Sequence, residues 1–138
     1  MDNVINDIEF RAKDVIQKVW CYGFYSIGIN PSSEWLEATI QTVNPDGTYG
    51  NKISIDRNTV GVWIGKKDKA GRKIFTGDIL RMRLPIGYAV GYVMYDINGC
   101  TFVLHNDKDS WSCGIKGGMA AGVIGNLYDT PELLEAAA

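Results

Sequence analysis

Few residues in this chain have the type and spacing to do covalent chemistry. His105 is the single histidine among 138 residues, and Asn106-Asp107-Lys108-Asp109 follows it, so an imidazole lies near two carboxylates. Such a group can serve as a general base or a metal ligand. Zinc, however, needs several converging ligands, and one histidine with three scattered cysteines (Cys21, Cys100 and Cys113) makes no such pattern. Asp107 and Asp109 lack the regular spacing and the glycine of a calcium loop. Gly114-Ile115-Lys116-Gly117-Gly118 has no Lys-Ser/Thr after it and no strand-to-helix setting, so it reads as a turn and not a phosphate loop. The expectation is a non-enzymatic protein with no catalytic residue, metal or cofactor, in which His105 ends a strand beside a solvated loop.

The charge is concentrated elsewhere. Residues 66–83 carry Lys66, Lys67, Lys69, Arg72, Lys73, Arg81 and Arg83 against Asp68 and Asp78, a local balance of +5 in a chain of net charge −2. The remainder therefore stands at −7. Segregation of this kind can present one positive face whatever the overall charge. Clustered cations suit phosphates and exposed aromatic faces suit bases, which makes the seven cations a candidate nucleic-acid contact. The competing reading is a solvated hairpin that discourages edge-to-edge strand pairing, with the nearby Trp63 and Phe75 in the core. A second candidate is aromatic. Trp20, Tyr22 and Phe24 alternate on one strand face, opposite Cys21, Gly23 and Tyr25. The first reading of that face is core, and the second is a subunit interface, where Trp and Tyr are enriched.

These side chains must be positioned by strands. Hydrophobic residues at 46% and charged ones at 22% are globular proportions, and 16 Gly with 4 Pro, 7 Tyr and 4 Trp suit short strands joined by tight turns. The odd, unpaired cysteines point to free thiols in a reducing compartment. The start, Met1-Asp2-Asn3-Val4, has no basic region leading into an apolar one, and no apolar run reaches the roughly 20 residues of a membrane helix. A soluble, cytoplasmic protein with no membrane partner is expected.

Along the chain, residues 8–12 and 19–25 read as strands, and 14–18 is either one helical turn or a loop. Asn30-Pro31-Ser32-Ser33 is a break, after which Ser33 could cap a helical turn reaching Leu36. Residues 38–43 and 49–55 form a hairpin across Asn44-Pro45-Asp46-Gly47. Residues 60–64 and 73–75 form another across Asp68-Lys69-Ala70-Gly71, with the Asp accepting from the backbone two residues on. Gly77 then turns the chain, and the Asp78 carboxylate satisfies amides at the bend. In the strand 79–84, Leu80, Met82 and Leu84 share one face while Arg81 and Arg83 share the other. Residues 88–95 and 100–105 pair across Asp96-Ile97-Asn98-Gly99. Residues 106–118 read as a loop, 120–127 as a last strand, and 130–135 as a short helix with Thr130 as N-cap and Pro131 at its first position. The expected fold is mainly β: a small, partly open barrel over 59–138 with a short C-terminal helix, and an N-terminal β-rich segment, 1–58, packing on it as one compact unit.

Two stretches carry a family resemblance. Gly65-Lys66-Lys67-Asp68-Lys69-Ala70-Gly71 leading into Ile74-Phe75-Thr76-Gly77-Asp78-Ile79 is one. Val123-Ile124-Gly125-Asn126-Leu127-Tyr128-Asp129-Thr130-Pro131-Glu132-Leu133-Leu134 is the other. Together with Ile8-Glu9-Phe10-Arg11-Ala12, they resemble the YopX family of phage and prophage proteins over most of the chain. Lys66 replaces a usual aliphatic residue and Thr76 a usual acidic one, both making this segment more positive. The resemblance implies an SH3-like barrel and a phage or prophage origin, and it implies no catalytic residues. The functional expectation is a module that binds protein in a bacterial host cell, either a second copy of itself or another phage or host protein. The alternative is an auxiliary nucleic-acid binder acting through residues 66–83.

Overall fold

Turn chemistry decides where this chain reverses, and the strands lie between the turns. The computed structural model describes residues 8–85, 87–108, 110–115 and 121–135. Asp109, Lys116, Gly117, Gly118 and Ala120, which the sequence reading assigned to a loop and a strand start, lie outside them. The chain is mainly β and divides into two compact units, the first ending at Trp63 and the second beginning at Ile64.

In the first unit, β1 (Phe10–Lys13), β2 (Trp20–Ile29), β3 (Leu36–Val43) and β4 (Tyr49–Ser54) pair antiparallel in order. The start of β5 (Gly61–Lys67) lies on the other side of β1, with Phe10 opposite Val62 and Arg11 opposite Gly61. Residues 14–18 make one turn between β1 and β2. The Lys18 N–H donates to the Asp14 carbonyl at 3.0 Å, and the Asp14 carboxylate caps the turn by accepting from the Ile16 and Gln17 amides, at 2.6 and 3.0 Å. The helical turn expected after Ser33 does not form. Asn30 takes that role in the β2–β3 connection, its side chain accepting from Ser32 N–H and its carbonyl from Ser33 and Glu34. β2 hands over from β1 to β3 at Gly23, where a Cβ would stand 2.0 Å from the Gln41 carbonyl oxygen, so no larger residue fits. Ala12, Cys21, Ala38, Ile40 and Ile55 form the core.

The second unit starts with the rest of β5, which pairs with β6 (Lys73–Phe75) across the Asp68–Gly71 turn. Gly71 has φ 84°, the left-handed conformation that this turn requires. Then come β7 (Asp78–Leu84), β8 (Gly87–Asp96), β9 (Thr101–Asn106), β10 (Trp111–Gly114) and β11 (Ala121–Asn126). These five make an antiparallel sheet in the order β10-β9-β8-β7-β11. Among the described residues no pairing joins β10 to β11, so closure of a barrel is not seen. Ile64, Ile74, Leu80, Val93, Leu104 and Ile115 form the core.

Three expectations are corrected here. Residues 111–114 are a strand and not part of a loop: Trp111 and Cys113, turned toward the core, alternate with exposed Ser112 and Gly114. On β7 the half-buried alternation begins only after Leu80, because Asp78 and Ile79 are also buried, and Leu84 is exposed. The segment after β11 lies against that end, with Leu127 N–H donating to the Gly77 carbonyl at 2.9 Å. Finally, Pro131–Leu134 is a single 3-10 turn, not an α-helix. The Thr130 hydroxyl makes no cap. It accepts from Asn126 N–H at 3.1 Å, and the Asn126 side chain accepts from the Tyr128 and Asp129 amides at 2.9 Å. A four-residue segment makes too few i→i+4 bonds to repay helix nucleation.

Leu104, fully buried in the second core, and Leu36, 69% exposed at the start of β3, make a direct contrast. Leu104→Ala should lower unfolding free energy by about 2–5 kcal/mol, and Leu36→Ala by no more than about 0.5 kcal/mol, as read from denaturant midpoints.

Candidate functional site

The cationic segment is organised by one carboxylate. The Asp68 side chain accepts from Ala70 N–H and Arg72 N–H with one oxygen, both at 2.9 Å, and from Val123 N–H on β11 with the other, at 3.0 Å. Lys69 N–H donates to the Ala121 carbonyl at 3.1 Å, so the turn also occupies the outer edge of β11. Burial alone would raise the Asp68 pKa, but the three amides and the Arg72 charge outweigh it and hold the group below its ordinary value.

Docked in this way, the turn forms one wall of a cleft of about 280 Å³. Its cations are Lys69, Arg72 and Arg81, and Tyr88, Gly122 and Val123 also line it. Arg81 and Tyr88 lie on one face of the β7–β8 pair, and the guanidinium carbon stands 3.8 Å from the Tyr88 ring centroid. Gly122 is the strand partner of Arg81, and its missing side chain leaves the space open. Among the described residues, Lys69, Arg72 and Arg81 form no salt bridge.

The structure therefore divides the seven expected cations. Lys69, Arg72 and Arg81 converge. Arg83 lies on the face of Arg81 and is exposed, and Lys67 is exposed at the end of β5. Lys66 is committed elsewhere, its ammonium donating to the Ile115 carbonyl, and Lys73 is half-buried on β6. Phe75 is a core residue and Trp63 is half-buried; the aromatic ring in the cleft is Tyr88, which the sequence reading passed over. Its signal was position: on a hairpin partner of the strand that carries Arg81.

The aromatic face of β2 is the reverse of the first expectation. Cys21 and Tyr25 turn toward the core, while Tyr22 and Phe24 are each 45% exposed. The reason lies in the partners. Ala12 stands opposite Cys21, whereas Arg11 and Lys13 stand opposite Tyr22 and Trp20. Trp20 is half-buried, with the Arg11 guanidinium 4.5 Å and the Lys13 ammonium 5.4 Å from its ring. Tyr49 extends the exposed face, its ring 6.1 Å from that of Phe24. On the other face, the apolar row continues beyond the core into Ile27, Ile29 and Leu36, all exposed, with Trp35 77% exposed in the connection.

His105 sits in β9, in a row across three strands, between Tyr92 and Ser112. Its Nδ1 is 2.5 Å from the Ser112 hydroxyl, and its Nε2 is 2.7 Å from an Asp107 oxygen. Burial, then the Asp107 charge, push the Tyr92 phenol above its ordinary pKa. Serine, imidazole and carboxylate are the parts of a nucleophilic triad, and Ser112 went unnoticed in the sequence. The Asp107 side chain is 78% exposed, however, and water screens a carboxylate placed there. The row serves to tie β10 to β9. Among the described residues, no group of three or more His, Cys, Asp or Glu side chains could hold a metal, and no helix is long and apolar enough to cross a membrane. Of the thiols, Cys21 is buried, Cys113 half-buried and Cys100 exposed in the β8–β9 turn.

Residues 9–135 match the family model described as YopX protein. The chain belongs to the YopX family. It is similar to the crystal structure of protein EF1440 from Enterococcus faecalis, with 24% identity over 93% of this chain and 98% of that one and a TM-score of 0.52, a likeness of fold alone. No curated protein matches. Several of the residues that carry the YopX resemblance are turn builders in this structure. Asp68 and Gly71 make the β5–β6 turn. At Gly77, with φ 90°, a Cβ would lie 3.2 Å from the Tyr128 ring. At Gly125 a Cβ would lie 2.0 Å from the Thr130 hydroxyl.

A carboxylate held below its unfolded pKa stabilises the fold above the unfolded value, and that stability is lost as pH falls through the folded one. The melting temperature of Asp68→Asn should accordingly fall less steeply than that of the native chain between about pH 5 and pH 2. Equal slopes would show that Asp68 does not hold the turn.

Proposed function

We propose that this YopX-family protein works by binding and without covalent chemistry, as a self-assembling or protein-interaction module. One observation carries the reading: Tyr22 and Phe24 stand outward on β2, and Tyr49 continues the apolar face. Exposed aromatic residues gathered on one sheet face are characteristic of protein contact surfaces. In this reading the protein is phage- or prophage-encoded and acts in the cytoplasm of the bacterial host, an expectation that rests on the family resemblance. The second unit is read as a partly open, SH3-like barrel. What supports this is a core to which the β5–β6 hairpin contributes Ile64 and Ile74, while the five-stranded sheet contributes Leu80, Val93 and Leu104.

A second reading, auxiliary nucleic-acid binding through residues 66–83, is favoured by the convergence of Lys69, Arg72 and Arg81 in one cleft.

Light scattering after size exclusion tests the first reading. The native chain should show a mass that is a multiple of one chain, and Phe24→Lys should return it to a single chain. Ile29→Lys, on the opposite face of β2, should leave the mass unchanged. A strict monomer at every concentration would remove the self-assembly proposal.

A further inference from the structure

Resting on the nucleic-acid reading, we propose that the cleft between the β5–β6 turn and the β7–β8–β11 face seats an unpaired nucleotide of a single strand. Three features narrow the ligand to that class. The cations are set in one wall and on one strand: Lys69 and Arg72 belong to a turn fixed by the three amide bonds to Asp68, and Arg81 projects from β7. Anions of a flexible backbone suit such a cradle. The Arg81–Tyr88 layer, with 3.8 Å between guanidinium carbon and ring centroid, offers a planar surface on which any base can stack. Gly122 supplies the room. A Cβ there would come within 3.4 Å of Lys69 Cε, and a larger side chain would enter the cleft.

The size of the cleft favours one base over a duplex. About 280 Å³ lies just below the range of roughly 300–1,000 Å³ usual for ligand pockets. Bases paired within a helix keep their faces stacked on each other and do not present them to Tyr88. Single-stranded DNA and single-stranded RNA share the recognised chemistry, phosphate plus an exposed base face.

Fluorescence anisotropy with labelled oligo-dT and oligo-rU of about ten nucleotides tests the proposal, beside a duplex of equal length. Either single strand should bind at about 50 mM salt, and affinity should fall roughly 20-fold by about 200 mM, as three phosphate contacts require. The dT and rU arms report which strand is preferred, and binding of either supports the site. Lys69→Gln and Arg72→Gln should each reduce the salt slope by about 0.7. Tyr88→Ala should weaken binding about tenfold with the slope unchanged. Gly122→Leu, which alters no charge, should also weaken it, and Lys52→Gln, an exposed cation of the first unit, should not. Variants are compared at matched melting temperature, so loss of fold is separated from loss of binding. Failure of every oligonucleotide to bind overturns the nucleic-acid reading and the cleft with it. Binding that is equal for duplex and single strand, or indifferent to Tyr88→Ala and Gly122→Leu, overturns the cleft while leaving the wider reading standing.

Discussion

One carboxylate does three jobs in the second unit. Asp68 closes the β5–β6 turn by accepting two amides of its own loop, and it reaches across to a third on β11. β11 is an edge of the five-stranded sheet, where unpaired amides invite pairing with another chain. Covering that edge with a charged turn protects the sheet, and it also fixes Lys69 and Arg72 beside Arg81. Edge protection and the basic cleft are thus consequences of the same contact. The Gly77–Asp78 corner works in a similar way on the other side of β6. Gly77 N–H donates to the Val93 carbonyl, its own carbonyl accepts from Leu127, and the buried Asp78 carboxylate accepts from Phe75 N–H at 2.8 Å. Strands β6, β7 and β8 and the C-terminal segment are joined there through two residues.

What could be read from the sequence was local. The turns at Asn44–Gly47 and Asp68–Gly71 were legible because Asx acceptors and glycine act within four residues. The one after Asp96 was legible from its Asx acceptor, although the left-handed residue there is Cys100, with φ 52°, and not Gly99. The face assignment of β2 was not, because both of its faces carry apolar side chains, and only the register with β1 decides between them. Once Ala12 is known to lie opposite Cys21, and Arg11 and Lys13 opposite Tyr22 and Trp20, the small-residue face must be the inner one. Strand β10 was hidden for a related reason: four residues in a polar, glycine-rich setting show their alternation only against the partner β9. The C-terminal turn carries helix-start residues, Thr130 and Pro131, yet the Asn126 backbone engages the Thr130 hydroxyl that a cap would use.

The two candidate surfaces belong to different units and to different chemistries. The outward face of β2 offers apolar area with little charge beyond the cations held against Trp20. The cleft offers charge with a single aromatic layer. Of the segments that mark the YopX family, the two longer ones build corners and edges and the first supplies the interior strand β1; Tyr22, Phe24, Tyr49 and Tyr88 all fall outside them. Within this chain, the aromatic residues that could meet a partner stand apart from those segments, whereas the cleft shares Lys69 and Val123 with them.

The three cysteines differ enough to be told apart by a reagent. Burial, with the Asp14 charge beside it, raises the pKa of the Cys21 thiol, and burial raises that of Cys113, so neither readily forms the reactive thiolate. Cys100 stands exposed on a hairpin tip and is not among the residues that line the cleft. A maleimide dye offered in limiting amount should attach there first, giving a singly labelled protein whose candidate surfaces remain chemically untouched.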